Sequence, residues 1–135
     1  MCNNNENNCP FVDTLSTIVK IQKQGDCPEV CTQSCDRPFL GENLAVCSYN
    51  TRPINLYTCG NSTLWSMPYT SGEAEETSTV FRCEAVEGCC ATFRVLAPSP
   101  EGSENPYTST NSFFTMNLKC CGAIRCLGDT FVTGL

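Results

Sequence analysis

Thirteen of the 135 residues are cysteine, and they carry the chemistry this chain has to offer: thiol–disulfide exchange or thiolate ligation of a metal. There is no histidine. That removes Ser-His-Asp and Cys-His nucleophilic pairs and every His-ligated metal. The sequence also lacks a Gly-rich phosphate loop and a dinucleotide fingerprint, and its carboxylates form no opposed pair of the kind that cleaves glycosides. No catalytic residue and no cofactor is expected, and the chain reads as a non-enzyme. Cys27, Cys31 and Cys35 recur every four residues, so on a helix they would lie near one face and could bind a metal together with one further cysteine. Zinc and iron–sulfur sites favour C-x-x-C steps, which are absent here. Disulfides or packed thiols are therefore expected at these three, and no metal. The odd cysteine number leaves at least one thiol free or paired outside the chain.

A cysteine content this high points to a disulfide scaffold, and small oxidised domains are normally secreted. The chain nevertheless opens with MCNNNENN, which has neither the basic nor the apolar segment of a signal peptide. No apolar run approaches the roughly 20 residues of a membrane span. Synthesis in a cytoplasm followed by later oxidation reconciles these observations. A net charge of −6 with only 8 basic residues argues against a nucleic-acid partner. The length fits one domain that buries roughly 65–70% of its unfolded surface.

The elements that must position the thiols follow from periodicity. Residues 1–9 form an Asn-rich arm, expected to be flexible, that carries Cys2 and Cys9. Residues 10–135 are expected to form a single β domain with one N-terminal helix at about 10–24. There Phe11, Leu15, Ile18 and Val19 keep a helical period, with Pro10 in the first turn and Gly25 after the end. Its apolar face is expected to pack on the sheet. Beyond it, strands are read at residues 44–49, 54–58, 63–67, 79–85, 89–97 and 112–120. Cys59 is placed at an exposed hairpin tip. The acidic stretches 70–78 and 98–111 read as surface loops. The fold class expected is mainly β, an antiparallel β-sandwich or jelly-roll-like barrel with one N-terminal helix.

The central hairpin sets cysteine roles. With a three-residue loop at Val86-Glu87-Gly88, Gly88 left-handed, Ala85 lies opposite Cys89, Cys83 opposite Ala91 and Phe81 opposite Phe93. Those residues and Val95 share one face, while Arg82, Glu84, Cys90, Thr92 and Arg94 share the other. A two-residue loop at Glu87-Gly88 would put Phe81 beside Arg94, which the apolar pattern rejects. In Cys89-Cys90 and in Cys120-Cys121 the first sulfur then faces the core and the second faces outward. Cys2, Cys9, Cys59, Cys90 and Cys121 are candidates for intermolecular disulfides. Cys27, Cys31, Cys35, Cys83, Cys89, Cys120 and Cys126 are candidates for intrachain or core positions.

Several segments resemble the CotY/CotZ/ExsY family of endospore coat and exosporium proteins. They are Cys35-Asp36-Arg37-Pro38-Phe39-Leu40-Gly41, Asn50-Thr51-Arg52-Pro53 with Leu56-Tyr57-Thr58, Val80-Phe81-Arg82 with Arg94-Val95-Leu96, and Lys119-Cys120 with Ala123-Ile124-Arg125-Cys126-Leu127. They run in the family's order over roughly residues 27–130 and leave out the N-terminal arm. Near the end the family pattern resembles Cys-Phe-Cys-Ala-Ile-x-Cys-Leu. This chain keeps Cys120 and Cys126 but has Cys121 at the Phe position and Gly122 where a cysteine is expected, so a bridge through that cysteine does not carry over.

The resemblance implies a structural protein of the spore coat or exosporium, made in the mother-cell cytoplasm. It implies self-assembly into two-dimensional, often hexagonal arrays hardened by disulfides. The implied partners are further copies of the chain and other coat or exosporium proteins. A cysteine-thiolate metal module, and an adaptor anchoring other spore-surface components through the acidic loops, are the competing readings.

Overall fold

The computed structural model describes residues 9–24 and 49–135. Cys2, the Cys27/Cys31/Cys35 run and the strand expected at 44–49, apart from Tyr49, lie outside the described residues. The described part is mainly β, with one helix and two antiparallel sheets. Helix α1 spans Val12–Gln24. Strands β1 (Ile54–Thr58), β4 (Phe81–Glu87), β5 (Cys90–Pro98), β6 (Tyr107–Asn117) and β7 (Cys121–Cys126) form a five-stranded sheet in the order β6-β5-β4-β1-β7. Strands β2 (Met67–Ser71) and β3 (Ala74–Ser78) form a separate hairpin.

The helix forms where its apolar period lies, and it packs on the sheet as expected. Leu15 and Ile18 enter the core, with Phe11, Val12 and Val19 partly buried against it. The start is shifted. Pro10 and Phe11 form a turn before the helix, with Phe11 at φ 67°. Gln22 ties the helix down: its buried amide donates to the Cys83 carbonyl at 2.8 Å and accepts from the Arg52 N–H at 3.1 Å. A buried amide left unpaired would be costly, so these two bonds fix the helix relative to β4 and the start of β1.

The central hairpin corrects both registers considered above. Phe81 pairs with Val95, Arg82 with Arg94, Cys83 with Phe93, then Ala85 with Thr92, Val86 with Ala91 and Glu87 with Cys90. Glu84 is an extra residue, a β-bulge, and the loop is the two residues Gly88-Cys89. Gly88 at φ 57° takes the left-handed first position of a type II′ turn. The bulge is what sequence periodicity misses, because inserting one residue preserves the apolar face on one side of it and reverses it on the other. Phe81, Cys83, Ala91, Phe93 and Val95 are buried on one face as expected, whereas Ala85 is exposed. On the opposite face Arg82 and Arg94 oppose each other, and like charges so placed repel. Glu84 accepts from both, at 2.6 Å and 3.2 Å, which offsets that repulsion.

Two acidic stretches expected as loops contain strands. Residues 70–78 belong to the β2–β3 hairpin, and β6 begins at Tyr107, inside the stretch 98–111. In the first of these hairpins only Tyr69 and Ser78 are buried, so no alternating apolar pattern announces it. Tyr69 is anchored by its hydroxyl to Glu76, and Ser78 by its hydroxyl to the Leu96 carbonyl. The strand expected at 63–67 is reduced to a bridge at Leu64 flanked by two backbone bonds, Thr58 N–H to the Thr63 carbonyl at 2.9 Å and Trp65 N–H to the Leu56 carbonyl at 2.8 Å, and only Met67 lies in a strand, as the first residue of β2.

Candidate functional site

The thiols are placed by three devices: a turn, a capped 3-10 segment and the strand it leads into. Cys89 sits in the Gly88-Cys89 turn and forms a disulfide with Cys9, with a Cα separation of 5.4 Å. Cys90 is buried and likewise disulfide-bonded. The intermolecular roles expected for Cys9 and Cys90 therefore do not fit the structure, in which both sulfurs are used within the chain. Cys83 is a buried free thiol. Burial pushes its pKa up to about 12, with a smaller contribution from Glu84, so it is a poor nucleophile at neutral pH.

The pair Cys120-Cys121 is reversed relative to expectation. Asn117 ends β6 by accepting the Lys119 N–H on its side chain at 3.0 Å, and Leu118–Cys120 then form a 3-10 turn. That turn breaks the two-residue alternation. Leu118 is buried and Cys120 exposed, and Cys121 opens β7 facing the core at 2% exposure. Burial raises the Cys121 thiol, opposed by hydrogen bonding to the Ala123 and Tyr57 backbone. Asn117 itself is the signal that could have found this, since Asn readily bonds its own neighbouring backbone and interrupts a strand.

Cys59 is exposed, as expected, and stands beside Cys120. Its N–H donates to the Cys120 carbonyl at 3.1 Å and its thiol to the Lys119 carbonyl at 3.6 Å. A shallow hollow next to it is bounded by Tyr57, Thr58, Gly122 and Ala123. Cys126, assigned above to a core or intrachain position, is instead an exposed free thiol at the far end of β7. It borders a second hollow with Asp13, Thr17 and Arg52. The sheet thus brings Cys59, Cys120 and Cys121 to one end of β7 and leaves Cys126 at the other.

Arg52 near that second end holds Asp129 through two bonds, at 2.7 and 2.9 Å. Arg52 keeps the Asp129 carboxyl below its usual value of 3.8, and the hydrogen bond is the leading cause. A depressed carboxylate contributes stability above the unfolded value and loses it as pH falls through the folded one. Asp129→Asn is accordingly expected to cost less than about 1 kcal/mol, because the pair is solvent-exposed. The difference between variant and wild type in urea unfolding should be present at neutral pH and vanish in strong acid. A difference that persists in acid would contradict this assignment.

Among the described residues no group of three or more His, Cys, Asp or Glu side chains is placed to hold a metal ion. No described helix is long and apolar enough to cross a membrane. The arrangement defines a class: a small β scaffold with disulfide-bonded cysteines within the chain and free thiols exposed on its surface. The family model for Spore coat protein Z matches residues 1–111, and the chain belongs to that family. It is a structural protein of the spore coat. The match includes the N-terminal arm, which the motif resemblance had left out, and ends before residues 119–127, which that resemblance had included. Comparison with the curated proteins and with the solved structures finds no match.

Proposed function

We propose that this coat protein is the repeating subunit of a two-dimensional, hexagonal-type layer that it builds by self-association and then hardens with intermolecular disulfides. The observation that carries the reading is the division of labour among sulfurs. Cys9, Cys89 and Cys90 are bonded within the chain, while Cys59, Cys120 and Cys126 stand free on the surface. Weak contacts must order the subunits first, since indiscriminate coupling of surface thiols would yield aggregate rather than a regular layer. Of the intermolecular candidates, Cys59 stands, Cys120 and Cys126 join it, and Cys2 on the N-terminal arm remains one. Residues 10–135 act as the single building block. Its synthesis is placed in the mother-cell cytoplasm, with oxidation of the cysteine-rich chain later in the coat or exosporium, and other layer proteins are its further partners. The layer needs no catalysis by this chain.

Purified full-length protein imaged by negative stain and run on non-reducing gels tests the reading. Ordered sheets, with high-mass species that collapse under reductant, are expected. A stable monomer on both measurements under oxidising conditions would overturn it.

A further inference from the structure

Cys59 and Cys120 share one end of the sheet, and the backbone brings them together there. Strand β7 carries a bulge at Gly122: Tyr57 lies opposite Ala123, and the next pair is Thr58 with Cys121. The two strands are close at this point. A Cβ on residue 122 would stand 3.1 Å from the Thr58 carbonyl oxygen and 3.2 Å from the Cys59 Cα. One step beyond Thr58 and Cys121, Cys59 lies opposite Cys120, and its N–H donates to the Cys120 carbonyl at 3.1 Å. Hydrogen-bonded residues opposed across an antiparallel ladder are about 5.5 Å apart at Cα, and their side chains share a face. A disulfide spans roughly 4.4–6.8 Å between Cα atoms. This molecule already bridges such a distance, since Cys9 and Cys89 are 5.4 Å apart at Cα.

The side chains agree with the backbone. Both thiols are exposed and free. The Cys59 thiol already leans toward its opposite number, donating at 3.6 Å to the Lys119 carbonyl. That carbonyl belongs to the same planar peptide unit as the Cys120 nitrogen. Cys121 is the other sulfur at this end, but it faces the core at 2% exposure, with its thiol on the Ala123 carbonyl at 3.5 Å. Cys126 stands at the far end of β7. Among the described free thiols, Cys120 is thus the one that is both close to Cys59 and open to solvent.

We propose that Cys59 and Cys120 are a dithiol site that a low-molecular-weight disulfide closes into an intrachain bond, guarding the subunit against premature coupling to others. The bond itself does not need self-assembly; its purpose rests on that reading. The hollow bounded by Tyr57, Thr58, Ser62 and Gly122 has Cys59, not Cys120, in its wall, so Cys59 is the sulfur that the small disulfide meets first. Paired strands hold the second sulfur beside it, which makes the closing step intramolecular and favours it over coupling to another chain in dilute solution.

Closure takes two exchanges. The Cys59 thiolate attacks the small disulfide, giving a mixed disulfide and one small thiol. The Cys120 thiolate then displaces the second small thiol. Two protein thiols are oxidised, one small disulfide is reduced to two thiols, and the two protons end on those thiols. While closed, the pair withholds both sulfurs from other chains. A thiolate of a second copy lying against the site reopens it by attacking Cys59 and releasing Cys120 as a thiolate. One disulfide breaks and one forms, so this linking consumes no further oxidant. Cross-links then follow the ordering of subunits instead of preceding it.

The test mixes ordinary and heavy-nitrogen-labelled full-length chains below the assembly concentration and oxidises them with glutathione disulfide. Trypsin cleaves after Lys119 and Arg125, and chymotrypsin after Tyr57 and Trp65, which isolates residues 120–125 and 58–65. These two peptides are expected to be joined, with both halves from one chain and no mixed-isotope pairs. Both thiols are exposed, so serine at either position keeps the packing. In Cys120→Ser the link should vanish, and Cys59 should retain a glutathione adduct that the wild type sheds. A link that survives in Cys120→Ser would move the bond to Cys121 and overturn the pair. Mixed-isotope links between these peptides, a lasting glutathione adduct on wild-type Cys59, or free thiols at both positions would overturn it too. Each of these leaves the self-assembly reading standing. A closed pair in chains that never form sheets at high concentration would keep the bond and overturn that reading, along with the purpose assigned to the bond.

Discussion

Phe93→Ala is expected to lower the unfolding free energy by about 3–5 kcal/mol, read as a fall in the denaturant midpoint at protein concentrations below assembly. Phe93 and Phe81 are both fully buried at the middle of the sheet. Phe93 stacks on Phe114 with centroids 5.3 Å apart, and Phe81 meets the same ring edge-on at 4.9 Å. Truncating Phe93 removes its own burial, opens a cavity among Cys83, Val95 and the remaining rings, and breaks an aromatic pair worth about 0.5–1.5 kcal/mol by itself. Domains are typically stable by only about 5–15 kcal/mol, so the variant should sit near its threshold. Phe93→Leu, which keeps most of the volume, should cost distinctly less. A loss below about 1 kcal/mol for Phe93→Ala would mean that this cluster does not organise the core.

How legible this was differed from element to element for physical reasons. The helix was readable because Leu15, Ile18 and Val19 keep one period over its length, and β1 because Ile54 and Leu56 alternate with more polar neighbours. The face shared by Phe81, Cys83, Ala91, Phe93 and Val95 was readable for the same reason. What escaped were places where one residue breaks a period. The bulge at Glu84 moved the loop to Gly88-Cys89, so the opposing pairs were wrong although most of the face was right. The 3-10 turn at Leu118–Cys120 exchanged the inward and outward roles of Cys120 and Cys121. The β2–β3 hairpin buries too little to leave a pattern.

For the thiols, the type of chemistry was legible and the partners were not. Cys59 could be placed from the Cys59-Gly60-Asn61-Ser62 turn alone, because a tip is exposed whatever the register. The bond between Cys9 and Cys89 joins residues 80 apart in sequence, and nothing local marks it. Cys126 was assigned to an intrachain or core position with no strand read around it, whereas it ends β7 at the edge of the sheet, where its thiol is exposed.

That bond is also where the other large effect lies. Cys9→Ser/Cys89→Ser is expected to lose about 2–5 kcal/mol under oxidising conditions, since closing a loop of 80 residues strongly restricts the unfolded chain. Replacing both cysteines leaves neither half of this bond as an added thiol to mispair. The cross-link also holds the turn before α1 against the tip of the β4–β5 hairpin, so its loss should loosen the helix first. Amide exchange in residues 12–24 should then rise more than exchange in β5. Chain restriction and simple packing of the sulfurs are separable. In strong reductant the wild-type bond is open, and wild type and variant should unfold at nearly the same denaturant concentration if the cross-link is the source. A gap of similar size in both conditions would assign the effect to packing at Cys89 instead, and would contradict the view that this disulfide serves the fold by tying the start of the chain to the sheet.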